Sequence, residues 1–222
     1  MTDHRAAIAA LDAGLKSELS KASDGRGLLQ LALHWGLMGG LALCIALGLP
    51  LWGLAMLLLG ILIMFQFTAL HETTHATAFK SEWLNLVVMK VSGFLTLVQP
   101  EWFRFFHFAH HRHTQDPDED PELAGGKPET WRAYLIYLSG VTVWKGNLTV
   151  LLRNALGRAD WTYVPERRRA ALVREARVIV LLYALLLAGS LWFRSSLLLW
   201  IWVIPALIGQ PFLRAYLLAE HT

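Results

Sequence analysis

Long apolar segments constrain the fold of this chain more strongly than any other feature. A helix needs roughly 20 mostly apolar residues to cross the hydrocarbon core of a bilayer. Four segments approach that requirement, at residues 27–49, 52–70, 178–193 and 197–218, the third being the shortest. Apolar residues form 55% of the chain, whereas ordinary soluble domains contain about 45–50%. The sequence therefore predicts an all-α integral membrane protein with four membrane-spanning helices.

Short connections join these segments in pairs, which predicts two helical hairpins. Leu49-Pro50-Leu51-Trp52 links the first pair, and Arg194-Ser195-Ser196 links the second. We expect a single membrane domain over residues 1–222, divided into four parts. These are a surface-bound amphipathic N-terminus (1–26), the first hairpin (27–70), a long helical loop (71–176) and the second hairpin (177–218).

The basic residues predict the orientation of the hairpins. Four Lys or Arg lie in residues 1–26 and thirteen in residues 71–176, but the hairpin tips contain only Arg194. Cytoplasmic segments retain Lys and Arg, so both termini and the long loop are predicted to be cytoplasmic. We expect a bacterial inner membrane location. Within the loop, residues 83–99 and 131–152 are apolar but interrupted by charges, and we expect helices that lie in the membrane interface or dip into it, not further spans.

Nine histidines occur, and seven of them should face the cytoplasm at one depth: His71, His75, His107, His110, His111, His113 and His221. A helix turns every 3.6 residues, so His71 and His75 share one helix face. His107 and His111 share a face in the same way, with His110 beside them. Such clusters predict a metal site. Imidazole suits Fe, Zn, Cu and Ni alike, so the ligand type does not choose the metal.

Other interpretations of single histidines and of the first motif stay open. His34 stands alone on the first predicted span, so we expect a structural hydrogen-bond partner there. His71-Glu72-x-x-His75 also matches the zinc metalloprotease pattern, in which two histidines bind Zn²⁺ and the glutamate is the general base. A metal transporter is a non-enzymatic alternative. Cys44 is the only cysteine, which excludes a disulfide framework and a multi-thiolate metal site.

The histidine motifs resemble those of the membrane fatty acid desaturase and hydroxylase superfamily. His71-x-x-x-His75 is similar to its first histidine box, and His107-x-x-His110-His111 is similar to its second. The acidic run after His110 and the stretch Arg214–Thr222 also resemble family segments, the latter supplying a further histidine. The resemblance covers the chain from about residue 30 to its end.

This resemblance implies a chemistry and a set of site residues. It implies two iron ions that use O₂ to remove hydrogen from an unactivated C–H bond of a long-chain fatty acyl lipid, by desaturation or hydroxylation. A carotenoid or alkane hydroxylase or ketolase is an alternative within the superfamily. The implied iron ligands are His71, His75, His107, His110, His111 and His221. Glu72 and His113 are expected to support the ligands, and Asp116, Asp118, Asp120 and Glu122 are further carboxylate candidates for orienting them.

The resemblance also implies partners and one departure from the family pattern. A ferredoxin-like or similar carrier must supply electrons, because the chain has no Gly-rich dinucleotide motif and no cysteine set for an iron–sulfur cluster. The run Glu166-Arg167-Arg168-Arg169, with Arg174 and Arg177, is either a docking surface for this carrier or the positive cytoplasmic flank of the third span. The basic residues do not resemble a nucleic-acid groove. The family has a third His-x-x-His-His box after the fourth span. The sequence ends at Thr222 before such a box, so we expect a C-terminal truncation with weakened metal binding.

Overall fold

The computed structural model describes residues 8–19, 21–126 and 128–220, and this part of the chain contains helices and no strands. The α-helices are α1 (Ala13–Leu19), α2 (Asp24–Ala46), α3 (Trp52–Met64), α4 (Gln66–Thr74), α5 (Glu82–Leu95), α6 (Pro100–His113), α7 (Trp131–Ser139), α8 (Val141–Ala155), α9 (Glu166–Trp192) and α10 (Ile204–Glu220). A short 3₁₀ turn covers Leu123–Gly125, and a π-helical turn over Leu199–Val203 leads into α10. The all-α prediction is confirmed.

Three helices in the described part of the chain are long and apolar enough to cross a membrane. They are α2, the continuous Trp52–Thr74 run of α3 and α4, and Leu199–Ala219. Helices α7 and α8 together would make a fourth, but they are bent by 50° as in a broken span or a re-entrant loop. These candidates match the first, second and fourth predicted spans and are consistent with an integral membrane protein.

The third predicted span is not a candidate span in the structure, and part of the long loop forms a bent pair of helices. Residues 178–192 form the C-terminal half of α9, which is not among the three candidate spans. This helix begins with charged residues, and its apolar part falls short of the roughly 20 residues of a full span. The bent pair α7 and α8, predicted to lie in the interface or dip into it, has the length and composition of a broken span or a re-entrant loop. Two hairpins with cytoplasmic termini therefore remain a prediction.

Helix α3 packs between α2 and α10. Leu59 and Ile63 of α3 are buried beside Ala206 and Leu213 of α10. The two helices cross at glycines, because a Cβ on Gly60 would overlap the backbone of Pro205, and a Cβ on Gly209 would overlap the backbone of Gly60. Small residues let membrane helices approach this closely.

A buried polar network anchors α6 to α8 and α9. The Gln99 amide donates to Leu172 O at 2.9 Å and accepts from Asn154 Nδ2 at 2.7 Å. The Glu175 carboxylate accepts from the backbone N–H of Glu101 at 2.9 Å and pairs with Lys90 of α5. Since Gln99 and Glu101 flank the first residue of α6, this network fixes where the second histidine helix begins.

Candidate metal centre

The first histidine pair lies at the end of the long α3–α4 helix. Leu70 is fully buried and anchors the last turn of α4, from which His71 projects. His75 is the C-cap residue, and its backbone N–H donates to His71 O at 3.3 Å. Ala76 then takes a positive φ of 57°, which ends the helix. His71 and His75 therefore project from the same terminal turn.

The second histidine group lies on α6, whose start favours a helix. Pro100 occupies the first turn, where its missing N–H costs no hydrogen bond. Trp102, Phe103 and Ala109 are buried and seat the helix on the protein core. His107 is buried on this seated face, whereas His111, one turn later, is exposed. The histidines of α6 thus run from the core to the protein surface.

The two histidine pairs converge. His71, His75, His107 and His111 each offer a ring nitrogen, and these four atoms lie within 4.8 Å of one another. His107 is at the centre, with its Nε2 2.8 Å from His75 Nε2 and 2.9 Å from His111 Nε2. The His71 and His107 ring centroids are 4.4 Å apart. The arrangement is a group of four imidazoles from two helix ends that could hold a metal ion.

The surroundings of this group favour neutral imidazoles. Burial, followed by the nearby His71 and His111, lowers the pKa of His107 to about 3. Burial also lowers the pKa of His75, as does His71, and the pKa of His111 is lowered by burial and by His110. Metal ions bind the neutral form of imidazole. The three rings are therefore in the metal-binding form at neutral pH.

Carboxylates contact two of the histidines through Nδ1. Glu72 Oε1 lies 3.1 Å from His71 Nδ1, and the second Glu72 oxygen accepts from Thr77 Oγ1 at 3.0 Å. Asp120 is buried, and its oxygens lie 2.9 and 3.0 Å from His110 Nδ1. Glu122 Oε2 lies 3.2 Å from the same nitrogen. Metal-binding histidines commonly donate the other ring N–H to a carboxylate, so both contacts are of the kind that orients ligands.

The remaining predicted site residues are placed differently. His110 is not one of the four grouped histidines, and its ring centroid lies 6.2 Å from that of His107 and 5.7 Å from that of His111. His113 is half-buried and also outside the group, and His221 lies outside the described residues. Asp116 is exposed and accepts the backbone N–H groups of Asp118 and Glu119 in a turn. It therefore shapes the loop that brings Asp120 to His110.

His34 confirms its predicted structural role. Its Nε2 lies 2.9 Å from Leu62 O, and this contact joins α2 to α3. The His34 imidazole therefore connects the first two helices through this hydrogen bond, and it is not one of the four grouped histidines.

A cavity of about 360 Å³ adjoins the histidines. His71 and His107 line it, together with the aromatic rings of Phe67, Phe103 and Phe106. Its volume is at the lower end of the usual range for small-molecule sites, about 300–1,000 Å³. An apolar group that enters this cavity would lie directly beside the imidazoles.

Sequence reasoning missed three polar residues of this cavity. Trp144 of α8 and Gln210 and Arg214 of α10 line it. Gln210 and Arg214 stand in an otherwise apolar predicted span, and polar residues in such spans often mark functional sites. Their isolation among apolar neighbours could have singled them out, but nothing in the sequence places Trp144 beside them.

Comparison with known proteins agrees with this geometry. A family model described as "Fatty acid desaturase" matches residues 27–222, which is most of the chain and includes both grouped histidine pairs. No curated protein and no solved structure matches it. Together with the convergent histidines at two helix ends, the match over most of its length shows that this chain belongs to the fatty acid desaturase family.

Proposed function

We propose that this chain is an O₂-dependent di-iron oxidoreductase that desaturates or hydroxylates a long-chain fatty acyl lipid in the membrane. The family is one of di-iron enzymes, and its membership implies a lipid substrate and a membrane location. The observation that carries the proposal is the convergence of His71, His75, His107 and His111 within 4.8 Å.

The donor set fits a transition metal. Imidazole nitrogens bind such ions at about 2.0–2.1 Å, as measured for zinc, and neighbouring ligands of one ion are then roughly 3 Å apart. His107 Nε2 has this separation from His75 Nε2 and from His111 Nε2. Four imidazoles suffice for one ion. A second iron would take His110, which Asp120 orients, and His221, which the family resemblance implies.

Each residue then has a defined task. His71, His75, His107 and His111 hold metal at the end of the cavity, and Glu72 and Asp120 fix the ring orientations of His71 and His110. Bound iron would supply the O₂ chemistry that breaks an unactivated C–H bond, which no amino-acid side chain can do. The rings of Phe67, Phe103 and Phe106 would align an apolar chain beside the histidines and exclude water.

Electrons would come from a ferredoxin-like or similar carrier that docks on the start of α9. Arg167 and Arg174 are exposed there. Arg168 pairs with Glu101, in the first turn of the second histidine helix, at 3.1 Å. An acidic carrier bound at these arginines would therefore lie near the base of α6. Complementary charge of this kind guides association and orientation.

The test is metal analysis of the purified chain, combined with lipid and carotenoid profiling of cells that express it. We expect bound iron that H107A and H111A abolish, and new double bonds or hydroxyl groups in fatty acyl chains. H34A is the control, because His34 is a structural histidine, and it should retain iron. Carotenoid products would favour the ketolase alternative. One zinc with peptide cleavage would favour the protease, and metal without product would favour a transporter.

A further inference from the structure

Three side chains that can form hydrogen bonds line the cavity beside the histidines and make up its polar wall: Gln210, Arg214 and Trp144. Gln210 and Arg214 are four residues apart on α10 and so share a helix face. Trp144 of α8 joins them in lining the same cavity. The remaining lining contains the metal-site histidines His71 and His107, two carboxylates and a set of aromatic and aliphatic side chains.

These three side chains present hydrogen-bonding atoms that have no protein partner. Gln210 is only 1% exposed. Within the described ranges, Gln210 Oε1, Arg214 Nε and Trp144 Nε1 are buried and accept or donate no hydrogen bond. Buried polar atoms in folded proteins are nearly always satisfied. Three such atoms, on residues that line one cavity, point to a ligand that completes their hydrogen bonds.

Packing holds two of these side chains in place. Gln210 lies so close to Gly140, at the bend between α7 and α8, that a Cβ at that position would overlap its side chain. The Arg214 guanidinium lies 4.0 Å from the ring centroid of Tyr137. Both contacts come from the bent pair of helices. The polar wall is therefore fixed before any ligand arrives, which favours tight and selective binding.

The three atoms match the hydrogen-bonding capacity of a hydroxyl group. Arg214 Nε and Trp144 Nε1 are donors, and Gln210 Oε1 is an acceptor. A hydroxyl has two acceptor lone pairs and one donor hydrogen. A carboxylate would leave Gln210 Oε1 without a donor, and it would share the cavity with the carboxylates of Glu72 and Glu122, which also line it. A plain hydrocarbon would leave all three atoms unsatisfied.

We propose that this cavity binds a lipid that carries a hydroxyl group, with the hydroxyl held by Gln210, Arg214 and Trp144 beside the histidines. The inference rests on the proposed function, because it takes the cavity as the substrate site. It narrows the substrate class to hydroxylated fatty acyl chains and similarly hydroxylated lipids. The hydroxyl would fix which carbon of the chain lies nearest His71 and His107.

The test compares 1-dodecanol with dodecane as ligands of the purified chain in lipid nanodiscs. The quantity of interest is the ratio of the two dissociation constants, because both probes partition into the lipid. We expect the wild type to prefer the alcohol at least tenfold. Q210M, which keeps the side-chain length but removes the acceptor, should reduce that preference at least fivefold while the dodecane affinity stays the same. Q30M is the matched control, because Gln30 is exposed on α2, and it should behave as wild type.

Several results would overturn the proposal. An equal preference for the alcohol in wild type and Q210M would mean that water, and not the lipid hydroxyl, completes the hydrogen bonds of the polar wall. Tighter binding of dodecanoate than of dodecanol, lost in R214M, would identify an anion site instead. If Q210M does not fold, W144F gives the same comparison from α8. The assay measures binding and not turnover, so a chain that fails to bind iron can still support or refute the hydroxyl site.

Discussion

The backbone N–H of Glu101 donates to the partly buried carboxylate of Glu175 at 2.9 Å, and this bond caps the helix that carries His107 and His111. Lys90 pairs with the same carboxylate. Removing one partner of a fully buried pair typically costs about 3–5 kcal/mol, and the cost should be smaller here because the Lys90 side chain is 38% exposed. We expect E175A to lower the melting temperature in detergent and to weaken metal binding, because α6 loses its fixed start. Differential scanning fluorimetry and metal titration would measure both effects.

The control for this variant is the ion pair of Arg153 with Asp160. It has similar chemistry, with 2.8 Å between nitrogen and oxygen, but Asp160 is 65% exposed. Exposed pairs contribute about 0–1 kcal/mol, so D160A should change the melting temperature little. Equal effects of E175A and D160A would contradict the anchoring role of Glu175.

Asp120 should contribute to metal affinity without being a ligand. D120N removes the charged acceptor for His110 Nδ1, so the imidazole loses both orientation and basicity. Loss of such an outer partner typically lowers metal affinity about 10- to 100-fold. Equilibrium titration with Fe²⁺ or Co²⁺ would measure it. The control is D118N, two residues away on an exposed turn, which should retain wild-type metal affinity. If D118N weakens metal binding as much as D120N does, the loss comes from the charge of the loop and not from the contact with His110.

The metal-free protein should become less stable as the pH falls from 7 to 5. The pKa of His107 is about 3 in the folded chain and about 6.5 for an unfolded histidine. Between these values the unfolded state binds more protons, so the free energy of unfolding decreases as the pH is lowered. H107Q should show a smaller decrease in melting temperature over the same range. A melting temperature that rises on acidification would contradict the neutral His107.

Gly140 should tolerate no side chain. It has a φ of +69°, and a Cβ there would overlap the side chain of Gln210. G140A should cost about 1–3 kcal/mol through overpacking, and it should also weaken dodecanol binding because Gln210 is displaced. G146A in α8 is the control, since no atom lies within 4 Å of its added Cβ and alanine favours a helix. Thermal unfolding and the nanodisc assay would compare the two variants.

Periodicity predicted the features of this fold that depend on local sequence. Helix type, three of the membrane-length segments and the grouping of His71 with His75 follow from spacing along a single helix. The meeting of the two histidine pairs was also expected, because both were predicted to lie on one side of the membrane at one depth. The structure places them together.

Contacts between distant helices could not be predicted in the same way. Asp120 was one of four carboxylates in an acidic run, and only the turn after α6 places it, rather than Asp116 or Asp118, against His110. The 50° bend at Gly140 divides a segment that hydropathy alone treats as continuous. Gln210 meets Gly140 across 70 residues of chain, and no local pattern records that contact.

The crossing of Gly60 and Gly209 has a consequence for the depth of the cavity. Gly60 lies 11 residues before His71, roughly 16 Å along a helix, and Gly209 directly precedes Gln210. A side chain added at either glycine would push α3 and α10 apart. The distance between the histidines at the end of α4 and the polar wall on α10 would then increase. The length of acyl chain that fits in the cavity should thus depend on two glycines that do not line it.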